Sequence, residues 1–342
     1  MEDLTGICFA GARLFEADFS GAVCNNASFL YASCNKAIFT AAMCSNSIFD
    51  HAHCADACFI GVTGLKTSFI GCRSFEADYS EAQCLHSDFN GAMLKRVKFD
   101  SANLSSASFN SANLREATFS GCILFQTDFT RADISDCDFT SVKELRKITL
   151  SDAAMDQSTF FPITIPEHSK LINSPWYKNR ETHKLLDSSC GSKFFNICGT
   201  YQAIYMLMKA NQFHHEAGVF YYNYRRCLMD YNIILKKGSR RSRMVERLQF
   251  YLFGFGEKPV RLLMWIVALI LAFGATYSLN PDYPLSLVDS IYFSAVTFFT
   301  LGFGDIYPLT LSCKIVAPIE AFFGLVFCSL FTVTIARKLI RD

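Results

Sequence analysis

Six consecutive residues, Thr300-Leu301-Gly302-Phe303-Gly304-Asp305, hold the densest chemistry in this sequence. Glycine at 302 and 304 lets the backbone take positive φ at alternate positions without a side-chain clash. The carbonyls of Thr300, Leu301, Gly302 and Phe303 can then face one axis, joined by the Thr300 hydroxyl. An array of neutral oxygens of this kind replaces the water around a small cation. One chain supplies one wall of such a cage, so closure needs further copies around the axis. A Gly-x-Gly alone is more often a turn. Its surroundings decide.

Those surroundings read as membrane. Residues 262–281 are uncharged between Arg261 and Asp282, and residues 315–336 are interrupted only by Glu320. Both match the ~20 residues a helix needs to cross ~30 Å of hydrocarbon. The stretch between Asp289 and Asp305 is uncharged too, yet as a helix it reaches only about 22 Å, so it reads as a re-entrant loop. Lys236, Lys237, Arg240, Arg241, Arg243 and Arg247 precede the first span; Arg337, Lys338 and Arg341 follow the second. Asp282, Asp289 and Asp305 lie between. The positive-inside rule places both termini in the cytoplasm, and the basic run also suits lipid headgroups.

With its flanking spans, Thr-Leu-Gly-Phe-Gly-Asp resembles the pore loop of tetrameric potassium channels, whose signature is Thr-x-Gly-Tyr/Phe-Gly-Asp. The resemblance implies a homotetramer with K⁺ as permeant ion and no cofactor or metal centre. Residues 287–299 become a short pore helix whose negative dipole end favours a cation in the cavity below. Gly324 falls where the inner helix of such channels often has its gating hinge; close helix packing is the alternative. Glu320, an intramembrane carboxylate, is a candidate support behind the filter, or it sits near the outer headgroups. Val296 stands where some relatives carry a filter-bracing acid, Phe299 where many have a second Thr, and Phe303 lacks the hydroxyl of the commoner Tyr. A non-selective cation channel is therefore the alternative for selectivity.

The first 140 residues repeat every five. From Leu4 to Phe139 the register never slips: positions ending in nine are Phe except Tyr79, and those ending in four are mostly Leu or Cys. Two residues earlier the chain is nearly always small, as at Ala12, Ala22, Ala102 and Ala112. This resembles the pentapeptide-repeat family and implies a right-handed, four-sided β-helix, one pentapeptide per side. Residues 20 apart then stack at ~4.8 Å. Gly64 and Ser74 interrupt the small-residue columns and mark an expected bulge. Ten of the 15 cysteines lie here, mostly inward, where Cys acts as a small hydrophobe. A cytoplasmic setting implies no disulfide framework. His51, His53 and Cys54 mimic a metal cluster, but Cys54 should point inward and the histidines outward.

Residues 141–257 read as a basic helical connector. Ala217, Phe220, Tyr221, Tyr224, Leu228, Tyr231 and Leu235 recur at helical spacing and, with 200–210, suggest one hairpin. One hairpin cannot bury its face alone, so it needs the solenoid, symmetry mates or a partner to pack on. Residues 253–257 read as an interfacial turn. Three domains are thus expected: solenoid 1–140, connector 141–257 and two-span pore 258–342. No helix carries Arg at every third position, so no voltage sensor is visible.

No acid, base and nucleophile combine into an enzyme. The solenoid holds 9 basic and 16 acidic residues, too mild a charge for a nucleic-acid mimic, and no nucleic-acid partner is expected. The expected protein is a potassium channel of the plasma (inner) membrane with two spans. Its partners are lipids, three further copies and a cytoplasmic protein partner for the solenoid, which serves assembly, partner binding or gating. The alternative from another class is a membrane-anchored scaffold.

Overall fold

A computed structural model describes residues 2–165, 188–234, 239–280 and 285–341. The chain divides into two compact units, Met1–Lys237 and Gly238–Asp342.

The first unit opens as a four-sided parallel solenoid. Each residue one before an inward centre bridges its counterpart 20 residues on, as in Asp3↔Val23, Cys8↔Ser28, Arg13↔Ser33 and Asp18↔Ile38. Two aromatic ladders fill the interior. Phe29 stacks on Phe49 at 4.5 Å and Phe39 on Phe59 at 4.9 Å, while Phe39 meets Phe49 edge to face at 5.4 Å. Ring pairs in this geometry contribute about 0.5–1.5 kcal/mol each beyond their burial. The corners carry a cost that composition does not announce: Glu16, Lys36, Ala41 and Arg96 all sit at left-handed φ between 55° and 60°. Each such corner costs about 1–2 kcal/mol for an L-residue. The backbone ladder on both sides of every coil offsets it, for example Phe29 N→Ile48 O at 2.7 Å.

The expected bulge at Gly64 and Ser74 is absent. Thr63↔Gln83 and Arg73↔Met93 keep the 20-residue step. Side chains absorb the irregularity instead: Ser87 Oγ donates to the Gly64 carbonyl at 2.8 Å, and Ser74 meets the Tyr79 hydroxyl at 3.2 Å. Ser74 and the one Tyr in the Phe ladders therefore satisfy each other inside the core.

The domain boundary expected at residue 140 is also corrected, because the solenoid continues. Strand β1 (Ile123–Phe125) pairs in parallel with β2 (Glu144–Arg146), and bridges follow at Asp128↔Thr149, Asp133↔Ala154 and Asp138↔Phe160. These steps are 21 or 22 residues, so inserted residues hide an eighth coil from a strict five-residue count. Phe161 completes the ladder, stacking on Phe139 at 4.9 Å.

The expected connector is likewise divided. Its hairpin, α1 (Ser188–Ala210) and α2 (His214–Ile234), lies in the first unit and shares one apolar core with the solenoid. Tyr201 Oη accepts from Ile165 N at 3.0 Å, Thr200 Oγ1 from Lys147 N at 2.9 Å, and Asn223 donates to the Ile163 carbonyl at 2.7 Å. Of the three surfaces open to the hairpin, the solenoid is the one it covers.

The second unit is helical: α3 (Arg240–Phe253), a 3₁₀ turn (Gly254–Gly256), α4 (Pro259–Ser278), α5 (Leu287–Phe298) and α6 (Leu311–Arg341). Ser239 caps α3 by accepting from Ser242 N, and Gly254 ends it at φ 55°. Helix α4 and residues 311–336 of α6 are long and apolar enough to cross a membrane; α5 is not.

Candidate ion pore

Helix α5 is the element that must position residues 300–305. Ser286 starts it, accepting from Asp289 N at 3.1 Å. Two glycines let its neighbours approach. A Cβ at Gly274 of α4 would lie 3.1 Å from Ile291 Cα. A Cβ at Gly324 of α6 would overlap the Phe298 carbonyl oxygen and lie 3.1 Å from Phe298 Cα. Gly324 is thus closely packed against α5, on a helix that carries Pro318 six residues earlier. Phe298 itself is buried with Leu262, Ile266 and Phe327.

The end of α5 flows into the motif through a helix-stop. Thr300 N donates to Thr297 O at 3.0 Å and Leu301 N to Val296 O at 2.9 Å, with Thr300 at φ 55°. This is the Schellman pattern, in which the left-handed residue is usually Gly. A β-branched Thr there is a genuine outlier. Gly302 and Gly304 follow at φ 58° and 79° with open space around a built Cβ, so their glycines serve backbone conformation and not close approach. Left-handed backbone thus recurs at 300, 302 and 304, one position more than the glycines alone predict.

Leu301 and Phe303 are exposed, 57% and 67%, on an irregular segment that one chain leaves uncovered. The Asp305 carboxylate lies beside the Tyr292 side chain of α5. Tyr292 has no outstanding sequence signal, and the motif's fixed spacing to its own pore helix is the only cue that would have found it. Val296 is buried and Phe299 half-exposed, and neither brings a polar atom to the motif.

Glu320 is fully buried. Tyr277 Oη donates to its Oε2 at 2.7 Å, and Ser294 Oγ reaches its Oε1. Ser294 also reaches the Ile270 carbonyl at 2.8 Å. Arg240, Arg241, Arg243 and Arg247 all lie on α3, which buries no residue; Lys236 and Lys237 lie outside the described residues. Arg261 fastens α3 to α4, donating to the Phe250 carbonyl at 3.0 Å. In the first unit Cys54 is buried and the His51 ring stacks on Tyr31 at 5.1 Å, so these residues do not converge.

The family model described as an ion channel matches residues 265–341. Models for pentapeptide repeats match residues 7–43 and 92–169. The chain is a two-span ion channel with a pentapeptide-repeat domain. Solved structures similar to this channel's solenoid include QnrB1, a plasmid-mediated fluoroquinolone resistance protein, at 22% identity over 46% of this chain and 89% of that chain, TM-score 0.26. HetL, from the cyanobacterium Nostoc, is 19% identical over 48% of this chain and 88% of that one, TM-score 0.19. A pentapeptide repeat protein of the Arabidopsis thaliana thylakoid lumen is 24% identical over 42% of this chain and 69% of its own, TM-score 0.12. No curated protein matched the channel.

Proposed function

We propose that four copies assemble into a K⁺-selective pore, with Thr300, Leu301, Gly302, Phe303, Gly304 and Asp305 of each lining one wall. The observation that carries this reading is the alternation of left-handed backbone at Thr300, Gly302 and Gly304, fixed to the end of a helix too short to span. Alternate left-handed residues turn successive carbonyls to one side, and fourfold closure converts four such walls into cages that replace ion hydration. The C-terminal end of α5 turns its partial negative charge toward the same axis. Exposure of Leu301 and Phe303 in one chain is the surface that assembly would cover. Asp305, beside Tyr292 of α5, ends the segment on its outer side.

The protein sits in the plasma (inner) membrane with its termini cytoplasmic, and the arginines of α3 meet anionic headgroups at the inner surface. The solenoid lies in the cytoplasm and serves assembly, partner binding or gating. A second reading, a non-selective cation channel, draws on Val296: buried and apolar, it gives the filter no acid from the pore helix.

K⁺ against Na⁺ flux in liposomes tests both, with Gly302→Asp as control. K⁺-selective flux lost in the control supports the selective pore. Equal flux of both ions supports the second reading. Flux unaffected by Gly302→Asp removes residues 300–305 from the ion path.

A further inference from the structure

One carboxylate in this protein is enclosed on all sides by the three helices that build the pore. Glu320 belongs to α6, Tyr277 to α4 and Ser294 to α5, and both hydroxyls meet the Glu320 carboxylate. Ser294 Oγ also lies 2.8 Å from the Ile270 carbonyl of α4. Its single proton goes there when a protonated Glu320 donates to Ser294, the pattern Gln would copy, and otherwise to only one of the two acceptors. Tyr277 is further fixed by the Phe293 ring of α5, edge to face at 4.9 Å. Ser294 lies two residues before Val296, whose carbonyl accepts the Leu301 N–H that closes the helix-stop. A polar cluster buried in an apolar region stands only if its members satisfy one another, and it then specifies one arrangement of the elements it joins.

We infer that Glu320 is a positioning residue through which the inner helix α6 sets the alignment of the filter. The acid that Val296 does not supply from the pore helix comes instead from the neighbouring helix. This placement has a mechanical consequence. An acid on α5 would brace the filter whatever α6 does, whereas an acid on α6 moves with that helix. Rotation or translation of α6 pulls on Ser294 and reaches Thr300 through the bonded end of α5. Gly324, one turn further along α6 and packed under Phe298, gives the same helix a second bearing on the same element.

The inference rests on the pore reading above, and its test separates the two. The variants are Ser294→Ala, Tyr277→Phe, Glu320→Leu and Glu320→Gln, in the full-length protein. Gln keeps a carbonyl to accept from Tyr277 and an amide to donate to Ser294, which can still donate to Ile270. Two readouts are taken on each: K⁺/Na⁺ flux ratio in liposomes, and the difference in tetramer melting temperature between KCl and NaCl. The second reads ion binding in the filter even when the pore is shut, because an ion bound only by the assembled filter stabilises it by mass action.

The expected result is a fall of about tenfold in the flux ratio for Glu320→Leu, the population shift that accompanies loss of one hydrogen bond to a carboxylate. Ser294→Ala and Tyr277→Phe fall in the same direction and shrink the KCl–NaCl gap, whereas Glu320→Gln stays near wild type. The Ser294→Ala, Glu320→Leu double variant should be no worse than Glu320→Leu alone, since the residues act through one contact. Wild-type ratio and gap in all three disruptive variants overturn the inference while leaving the selective pore intact. A Glu320→Gln variant as damaged as Glu320→Leu overturns it differently, by showing that charge and not the hydrogen-bonded joint matters. A wild type with neither K⁺-selective flux nor a K⁺-dependent gap brings down the pore reading and this inference together.

Discussion

Thr300 occupies a position where most helices that stop this way place glycine, and it does so at φ 55°. Glycine would relieve about 1 kcal/mol of backbone cost. A residue kept against that cost is kept for its side chain, and the Thr300 hydroxyl is the one side-chain oxygen in the filter segment before Asp305. Thr300→Gly is therefore expected to melt at a higher temperature than wild type while its K⁺/Na⁺ flux ratio falls. A variant that is both stabilised and equally selective would assign no role to the hydroxyl. The inward cysteines give a second residue-level expectation. Burial pushes the thiols of Cys72, Cys84 and Cys122 up to about 12 from an ordinary value of 9.0. The folded solenoid holds these protons more tightly than the unfolded chain does. Their contribution to stability is thus complete below about pH 9 and is lost as pH rises toward 12. Native protein should label with a thiol reagent at exposed Cys8 and not at these three, and its solenoid should melt earlier with each step above pH 9.

At the scale of elements, packing of α5 against two glycines predicts an order of damage. An alanine at Gly324 collides with backbone of Phe298, which cannot move without shifting the filter; one at Gly274 meets Ile291 at 3.1 Å, where a few tenths of an ångström suffice. Gly324→Ala should lose assembly or flux and cost about 1–3 kcal/mol, as overpacking does, whereas Gly274→Ala should be milder. Equal tolerance of both would mean that α5 sits elsewhere in the assembled pore. Much of this was legible beforehand. The short helix α5 and the two helices long enough to span follow from apolar lengths, and the left-handed backbone at 302 and 304 from two glycines. What stayed hidden has a common cause: it depends on residues far apart with no period linking them. Tyr277 and Ser294 lie 43 and 26 residues from Glu320, and no spacing rule joins them. The eighth coil disappeared because single inserted residues break a five-residue count while leaving the ladder intact. The left-handed corners were invisible because Glu, Lys, Ala and Arg do not advertise positive φ.

Across the whole molecule, the solenoid and hairpin form one unit and the pore another, and the basic run straddles their boundary, with Lys236 and Lys237 in the first and the α3 arginines in the second. Along the solenoid each coil's backbone bridges the coil before and the coil after, so its length and its orientation are separately adjustable. Removing residues 40–59 takes out one full circuit: Phe39 would meet Phe69 as it now meets Phe49, and every later face would keep its heading. Such a protein should fold, assemble and conduct as before, with a first unit shorter by about 4.8 Å. Removing only residues 40–44 deletes one side of the square. All coils upstream would then be turned by a quarter revolution relative to the hairpin; the five-residue step persists, but Phe29 would stack on Cys54 in place of Phe49, so the aromatic ladders break at the joint. If the outer faces of the solenoid meet a partner or a neighbouring copy, the five-residue deletion should abolish that contact and the twenty-residue deletion should spare it. The repeat is in this sense a screw thread: it counts height in full circuits of twenty residues and bearing in quarter turns of five.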